Sequence, residues 1–303
     1  MPEASFSFDE LQSANTVELP NPETLTASDG VTLSYRRYTP ITPRAVVLFY
    51  HGGGAHSGAG YQFLGNGLQN EFDIAVYMPD IRGHGASEGP GGDTPNPGQV
   101  WKDITTFIKH IHAEFPQLPL FLGGHSSGAG LILNYASQPN HESVDNYIFL
   151  SPEFGFRAKT ARPTLVTSFA TVNTLPFIIN AMSGGLLGGH SRAVRFNYPT
   201  ELLASDKGLV SSYTVNMANA ITPYAPHQQF TNLDRAFGLW IGTDDELIFP
   251  SEVLAFADLA VSVRAASEAG SISKAKHLSV LVNAHATIGP WIARLVQRKN
   301  TLR

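Results

Sequence analysis

The chain has no cysteine among its 303 residues, only 15% charged residues, no excess of positive charge and no long uninterrupted apolar run. The first absence excludes disulfides, thiolate metal ligands and a cysteine nucleophile together. A net charge of −5 offers no electrostatic reason to approach a polyanion, so no nucleic-acid partner is expected. No stretch of about eighteen residues is continuously apolar, the length a membrane span needs. The opening residues 1–10 lack the basic and apolar regions of a leader peptide. A cytoplasmic protein with no membrane association is therefore the expectation, its oligomeric state left open. Neither a His-x-His-x-Asp-His run nor a Cys/His cluster is present, and no metal or other cofactor is expected.

What is present is a hydrophobic fraction of 43%, enough for a well-buried core, in a chain that one α/β domain with an insertion can fill. Residues 1–23 read as a loose arm. Two strands follow around Ser28-Asp29-Gly30, a hairpin signal. The run 44–50 is almost continuously apolar, as in a strand buried on both faces of a parallel sheet. Helix-spaced apolar residues over 61–72 and 98–115 alternate with strand-like runs at 73–79, 118–123 and 147–150. The alternation stops over 154–232, which carries helical stretches, a glycine-rich segment and many apolar side chains. It resumes with a strand at 236–242, a helix at 251–266, a last strand at 278–282 and a last helix at 288–298. Strands alternating with helices imply a mostly parallel sheet covered on both faces. The expected organisation is a core over 1–153 and 233–303, interrupted by an inserted helical lid over 154–232.

Gly124-His125-Ser126-Ser127-Gly128 has the form G-x-S-x-G, and it falls where the apolar strand 118–123 gives way to the helix 129–136. A serine on that sharp turn projects from the carboxyl edge of the sheet, with glycines on either side giving strand and helix room to approach. Its hydroxyl needs an imidazole to take its proton and a carboxylate to orient that imidazole. The candidates lie at the ends of later strands. Gly242-Thr243-Asp244-Asp245-Glu246 follows one, and Asn283-Ala284-His285 follows the run 278–282. The order Ser126, Asp245, His285 suits the architecture, with Asp244 the neighbour with which Asp245 could be confused. Among 11 histidines, His285 alone directly follows the last expected strand, whereas His277 precedes it, at the opposite edge. Backbone donors for an oxyanion are expected from the amide of Ser127 and from the turn His51-Gly52-Gly53-Gly54, with Gly53 the candidate. Asp80, Arg82 and His84 read as turn and capping residues.

With these motifs in view, the chain resembles the α/β-hydrolases, and within them the monoacylglycerol lipase and lysophospholipase group. The residues that carry the likeness are Asp29-Gly-Val-Thr-Leu33, His51-Gly52 with His56-Ser57, Asp80-x-Arg82-Gly83-His84-Gly85-x-Ser87, Gly124-x-Ser126-x-Gly128, Gly242-x-x-Asp245 and the late His285. It covers 24–152 and 236–303 and fades through 154–232. Between Asp245 and His285 the chain carries what reads as a polar, small-residue insertion near 265–273. The resemblance implies a serine hydrolase that cleaves acyl esters, of monoacylglycerol or lysophospholipid type, through an acyl-enzyme. The apolar residues Phe169, Leu175, Phe177, Ile178, Ile179, Met182, Leu186 and Leu187 suggest an acyl-accepting pocket in the lid. The same triad could open a lactone, such as an N-acyl homoserine lactone, without metal. A small-molecule receptor on this fold is the non-enzymatic alternative, and its usual sign, a broken triad, is missing here.

Overall fold

The computed structural model describes residues 17–163 and 169–301, and of the arm expected over 1–23, residues 1–16 lie outside that range. The first half of the chain follows the sequence reading closely. Strands β1 (Glu23–Thr26) and β2 (Thr32–Tyr38) form an antiparallel hairpin whose turn uses Gly30 at φ 87°. After them come β3 (Ala45–Tyr50), α1 (Gln62–Phe72), β4 (Ile74–Pro79), α2 (Pro97–Glu114), β5 (Leu120–His125), α3 (Ser127–Ala136) and β6 (Asn146–Leu150). Helix α2 starts where the sequence supplies both a cap and a stop for the preceding loop: the Asn96 side chain accepts the Gln99 N–H, and Pro97 occupies the first turn.

Eight strands form one sheet in the order β1-β2-β4-β3-β5-β6-β10-β11, where β10 is Phe237–Gly242 and β11 is Glu268–Ile272. Every pairing from β4 to β11 is parallel; β2 meets β1 and β4 antiparallel. In β3, Val46, Leu48 and Tyr50 face one core while Ala45, Val47 and Phe49 face the other. That is why its sequence shows no polar alternation. The first core receives Ile104, Phe107 and Ile108 of α2 and Leu131 to Leu133 of α3. The second receives Leu64 and Leu68 of α1, and Ile288, Trp291 and Ile292 of the last helix, α10 (His285–Thr301).

Between β6 and β10 lies the insertion, which is more than helical. It holds a three-stranded antiparallel sheet of β7 (Ala170–Val172), β8 (Arg192–Phe196) and β9 (Ser212–Thr214), together with α4 (Thr174–Met182), α5 (Thr200–Ser205), α6 (Val215–Ile221) and α7 (Pro226–Thr231). The apolar residues expected to form an acyl pocket divide. Phe169 and Phe177 are half-buried against the core, whereas Leu175, Ile178, Ile179, Met182, Leu186 and Leu187 stand exposed to solvent. Among the described residues no helix is long and apolar enough to cross a membrane.

The last third corrects the sequence reading. The stretch taken for a polar insertion, 265–273, contains β11, the final strand of the sheet, and the apolar run 278–282 is instead a turn leading into the short helix α9 (Val280–Asn283). An edge strand is bonded on one side only and half-exposed, so Glu268-Ala-Gly-Ser-Ile272 needs no apolar run. A short apolar run, in turn, fits a buried helical turn as well as a strand. The helix expected over 251–266 is also broken: α8 (Pro250–Leu254) passes into separate 3-10 turns at Ala255–Asp258 and Arg264–Ala266.

Candidate active site

Strand β5 ends at His125 and α3 begins at Ser127, so the whole change of direction falls on Ser126, held at φ 54° and ψ −125°. A side-chain-bearing residue at such a backbone stores about 1–3 kcal/mol of strain, which the surroundings must over-determine. They do so through close contacts. A Cβ on Gly124 would lie 2.4 Å from the Gly128 carbonyl carbon, and one on Gly128 would lie 2.4 Å from the His51 carbonyl oxygen. The Ser126 N–H donates to the Leu150 carbonyl at 3.0 Å, and its own carbonyl accepts from Ala129, Gly130 and Glu153.

The imidazole beside Ser126 is that of His277, not His285. The Ser126 hydroxyl donates to His277 Nε2 at 2.9 Å, and His277 Nδ1–H donates to Asp245 Oδ2 at 2.9 Å. Both partners are buried, at 2% and 1% exposure. Asp245 Oδ1 accepts the amides of Leu247 and Ile248 at 3.0 and 2.9 Å, so both carboxylate oxygens are held. Asp244 is exposed and, among the described residues, its side chain accepts only from the Thr243 hydroxyl, which separates the two neighbours that the sequence left confusable. His285 is the first residue of α10, on the far side of α9. Its ring lies against Gly67 of α1, and its Nε2 meets Glu71 Oε1 at 3.1 Å. It is a helix-packing residue. The expectation failed because it placed a histidine after the last strand and then took the wrong run for that strand; His277 follows β11 after a short turn.

Burial disfavours the charged imidazolium of His277, but the Asp245 carboxylate more than offsets this, helped by Glu246 and Glu153, and the pKa lies above its ordinary 6.5. Burial likewise works against the Asp245 carboxylate, while His277 and the two amides hold its pKa below 3.8. The two shifts agree in favouring an imidazolium–carboxylate pair once the ring takes a proton.

Across from this pair runs the glycine turn after β3. Two tyrosine–histidine relays occupy the amides on either side of Gly53. The Gly52 N–H donates to Tyr61 Oη at 2.7 Å, and Tyr61 O–H donates to His125 Nδ1 at 3.0 Å. The Gly54 N–H donates to Tyr213 Oη at 2.6 Å, and Tyr213 O–H donates to His84 Nε2 at 2.8 Å. Each ring's other nitrogen must then carry hydrogen: His125 Nε2–H donates to the His277 carbonyl at 2.8 Å, and His84 Nδ1–H to the Arg82 carbonyl at 3.0 Å. Burial keeps both rings neutral, lowering their pKa values to about 3 and about 4. The amides of Gly53 and Ser127 are left without a partner among the described residues. Moreover, the Gly52 carbonyl accepts both His51 Nδ1–H at 2.9 Å and the Ala55 amide at 3.2 Å. Those bonds withdraw density from the 52–53 peptide and sharpen the Gly53 N–H as a donor. His51 is buried and held neutral, its Nε2 accepting from the Ile81 amide.

The insertion grips the same turn. Tyr198 O–H donates to the Gly53 carbonyl at 2.8 Å, the Val210 amide donates to the Gly54 carbonyl at 2.8 Å, and His56 Nε2–H donates to Asp206 Oδ2 at 2.8 Å. Phe196 stands within 3.2 Å of where a Gly53 Cβ would be. Of the three residues read as turn and capping groups, Asp80 is one, whereas Arg82 is an ion-pair bridge and His84 ends the relay to Gly54. Asp80 accepts the amides of Ser57 and Ala86, and Arg82 bridges Asp29 and Asp103. Tyr61, Tyr198 and Tyr213 had no motif to mark them, because each acts through a hydroxyl that only the folded chain brings to the turn. The arrangement can supply a hydroxyl nucleophile, a base oriented by a carboxylate, and two amides without a partner among the described residues.

Residues 41–267 match the sequence model of the family described as serine aminopeptidase, S33. Monoglyceride lipase of Homo sapiens is 29% identical over 226 residues, which cover 73% of this chain and 72% of the human protein. The putative monoglyceride lipase of Schizosaccharomyces pombe is 40% identical over 103 residues, 33% of this chain and 26% of that protein. Among solved structures, a soluble variant of monoglyceride lipase from Saccharomyces cerevisiae, in complex with a substrate analog, has a TM-score of 0.70 at 18% identity, covering 93% of this chain and 97% of that one. A thermostable carboxyl esterase from Bacillus coagulans, in complex with glycerol, reaches 0.67 at 18% identity over 92% and 100%.

Proposed function

We propose that this chain, which belongs to the S33 serine aminopeptidase family of α/β-hydrolases, is a serine hydrolase of carboxylic esters, lipase-like in its choice of substrate. The observation that carries the reading is the continuous relay from Ser126 Oγ through His277 to Asp245, each step 2.9 Å long. In the first half-reaction Ser126 Oγ attacks the ester carbonyl carbon while His277 Nε2 takes its proton, and Asp245 stabilises the imidazolium. The carbonyl oxygen, now negative, receives the amides of Gly53 and Ser127. Loss of one such donor typically costs about 2.7–4 kcal/mol of barrier. His277 then protonates the departing alkoxide, leaving an acyl group on Ser126. Water, deprotonated by the same nitrogen, attacks the acyl carbon and releases the carboxylic acid and free serine.

The ester class rests on the similarity to monoglyceride lipases and carboxyl esterases reported above. The insertion serves as a lid: its Tyr198, Val210 and Tyr213 meet the Gly53–Gly54 backbone, and Phe196 with Phe169 brings apolar surface to that edge. An acyl chain lying there gains up to about 0.8 kcal/mol per methylene buried, nearly fourfold in rate. The test is a panel of 4-nitrophenyl and glycerol esters of increasing acyl length, with lactones included, run on wild type and Ser126→Ala and paired with fluorophosphonate labelling. Wild type should cleave the esters, with kcat/KM rising with acyl length to a limit, and take the label at Ser126. Ser126→Ala should lose about six orders of magnitude in turnover and all labelling. A variant keeping a tenth of wild-type activity means that another residue is the nucleophile.

A further inference from the structure

Glu153 is a carboxylate near the triad to which the reaction just described gives no part beyond its charge near His277. It follows β6 in a loop bent twice through left-handed backbone, at Ser151 (φ 39°) and Gly155 (φ 80°). Its own N–H donates to the Ser126 carbonyl at 3.0 Å, which ties it to the turn that carries the reactive hydroxyl. Its Oε1 accepts the Gly155 amide at 2.7 Å, while Oε2 has no hydrogen-bond partner among the described residues. Burial pushes the carboxyl up, against the pull of the Gly155 amide and His277. It is also one of the charges that favour the His277 imidazolium, so carboxyl and imidazole lie within electrostatic reach of each other.

A brace for the loop does not call for a charge. A neutral amide oxygen would also accept the Gly155 N–H, without the cost of desolvating a carboxylate. A half-satisfied carboxyl next to a nucleophile is instead the mark of a group whose partner arrives with the ligand. We propose that Glu153 is a specificity residue whose free Oε2 accepts a hydrogen bond from a hydroxyl or ammonium group carried by the ester close to its scissile carbonyl. This rests on the ester-hydrolase reading and narrows it. The favoured esters bear a donor near the reacting bond, on the alcohol side as in a polyol monoester or on the acyl side as in a hydroxy- or amino-acyl ester; simple alkyl esters do not.

The experiment uses matched pairs that differ in one donor: ethyl against 2-hydroxyethyl esters for the alcohol side, plain against 3-hydroxy and 3-amino acyl esters for the acyl side. They are run on the full chain at pH about 8, well above the ordinary carboxylate range. Wild type should favour the donor-bearing member of at least one pair by about 10- to 100-fold in kcat/KM, mainly through KM. E153Q keeps an oxygen for the Gly155 amide and turns the free atom from acceptor to donor. It should bring that ratio to within about threefold, and any effect of the lost charge on His277 cancels because the ratio is taken within a pair. Equal rates within every pair for wild type overturn the proposal whatever the variant does. So does a ratio that E153Q, or E153D should E153Q not fold, leaves as it is in wild type, since that is the behaviour of a brace. Failure of the ester-hydrolase reading looks different: wild type cleaves neither member of any pair and Ser126 takes no fluorophosphonate.

Discussion

His277 and His285 flank the same short helix, α9, yet their surroundings differ in kind. One ring lies between a buried carboxylate and a serine hydroxyl, the other between Gly67 and Glu71 on a helix surface. His277→Ala should therefore lower kcat on a 4-nitrophenyl ester by about 10⁶-fold, as loss of the triad base does in serine hydrolases, and His285→Ala by no more than about threefold. Steady-state kinetics on the two purified variants decide it, and the reverse ranking sinks the assignment of the base. The protonation state of His277 makes a further prediction. The ring must be neutral to accept the Ser126 proton, and its pKa stands above 6.5 because Asp245, Glu246 and Glu153 together outweigh the effect of burial. Activity is thus low below that pKa and rises as pH passes up through it, placing the midpoint of the acid limb of kcat/KM above 6.5. Asp245→Asn removes the main raising influence, so its acid limb should shift to lower pH while kcat falls by about 10⁴-fold. A limb that stays in place in a pH–rate profile of the variant shows that Asp245 does not set this proton's affinity.

At the scale of elements, the site depends on helix α1 and strand β9 reaching the glycine turn with one tyrosine each. Tyr61 and Tyr213 occupy the amides of Gly52 and Gly54, and the two relays end on neutral histidines, His125 at the end of β5 and His84 in the loop after β4. Tyr61→Phe unties the Gly52 amide and removes the donor to His125, whose other nitrogen holds the His277 carbonyl. We expect kcat to fall about tenfold, the equivalent of ~1.4 kcal/mol, with KM changing less. An unaltered kcat in single-turnover measurements would show that the turn keeps its shape without the relay. The element that misled the sequence reading was β11. Its residues Glu268, Ala269, Gly270 and Ser271 are half-exposed or exposed at the sheet edge and carry no run of apolar side chains, while Val280 and Leu281 of α9 are fully buried and do. Apolarity reports burial, and here the buried element was the helix.

Taken as a whole molecule, the core is joined across its first layers by one arginine. Arg82, itself 3% exposed, holds Asp103 of α2 with two bonds of 2.6 and 2.7 Å and Asp29 of the β1–β2 hairpin with bonds of 3.0 and 3.2 Å. Removing it leaves Asp103 buried without its counter-charge. Arg82→Met should cost about 3–5 kcal/mol of unfolding free energy, measured by urea denaturation at neutral pH. Asp29→Asn, at the more exposed end of the network, should cost less than about 1 kcal/mol. Equal losses would mean that the network acts as a single unit.

The hydrophobic pattern by itself determined the alternating strands and helices up to β6, the two-sided burial of β3, and the strand-to-helix turn that displays Ser126. These are local matters, in which side-chain periodicity and the glycines at 124 and 128 suffice. Asp245 was legible to within one residue because it directly follows a buried strand, although its separation from Asp244 needed the turn that buries one carboxylate and exposes the other. Gly53 was legible as the middle of a glycine run, but only the folded chain reveals that its neighbours' amides are taken by Tyr61 and Tyr213. The tertiary structure alone decided which histidine meets Ser126. That choice depends on which weakly patterned segment pairs with β10 at the sheet edge, a pairing made by backbone hydrogen bonds that leave no trace in side-chain polarity.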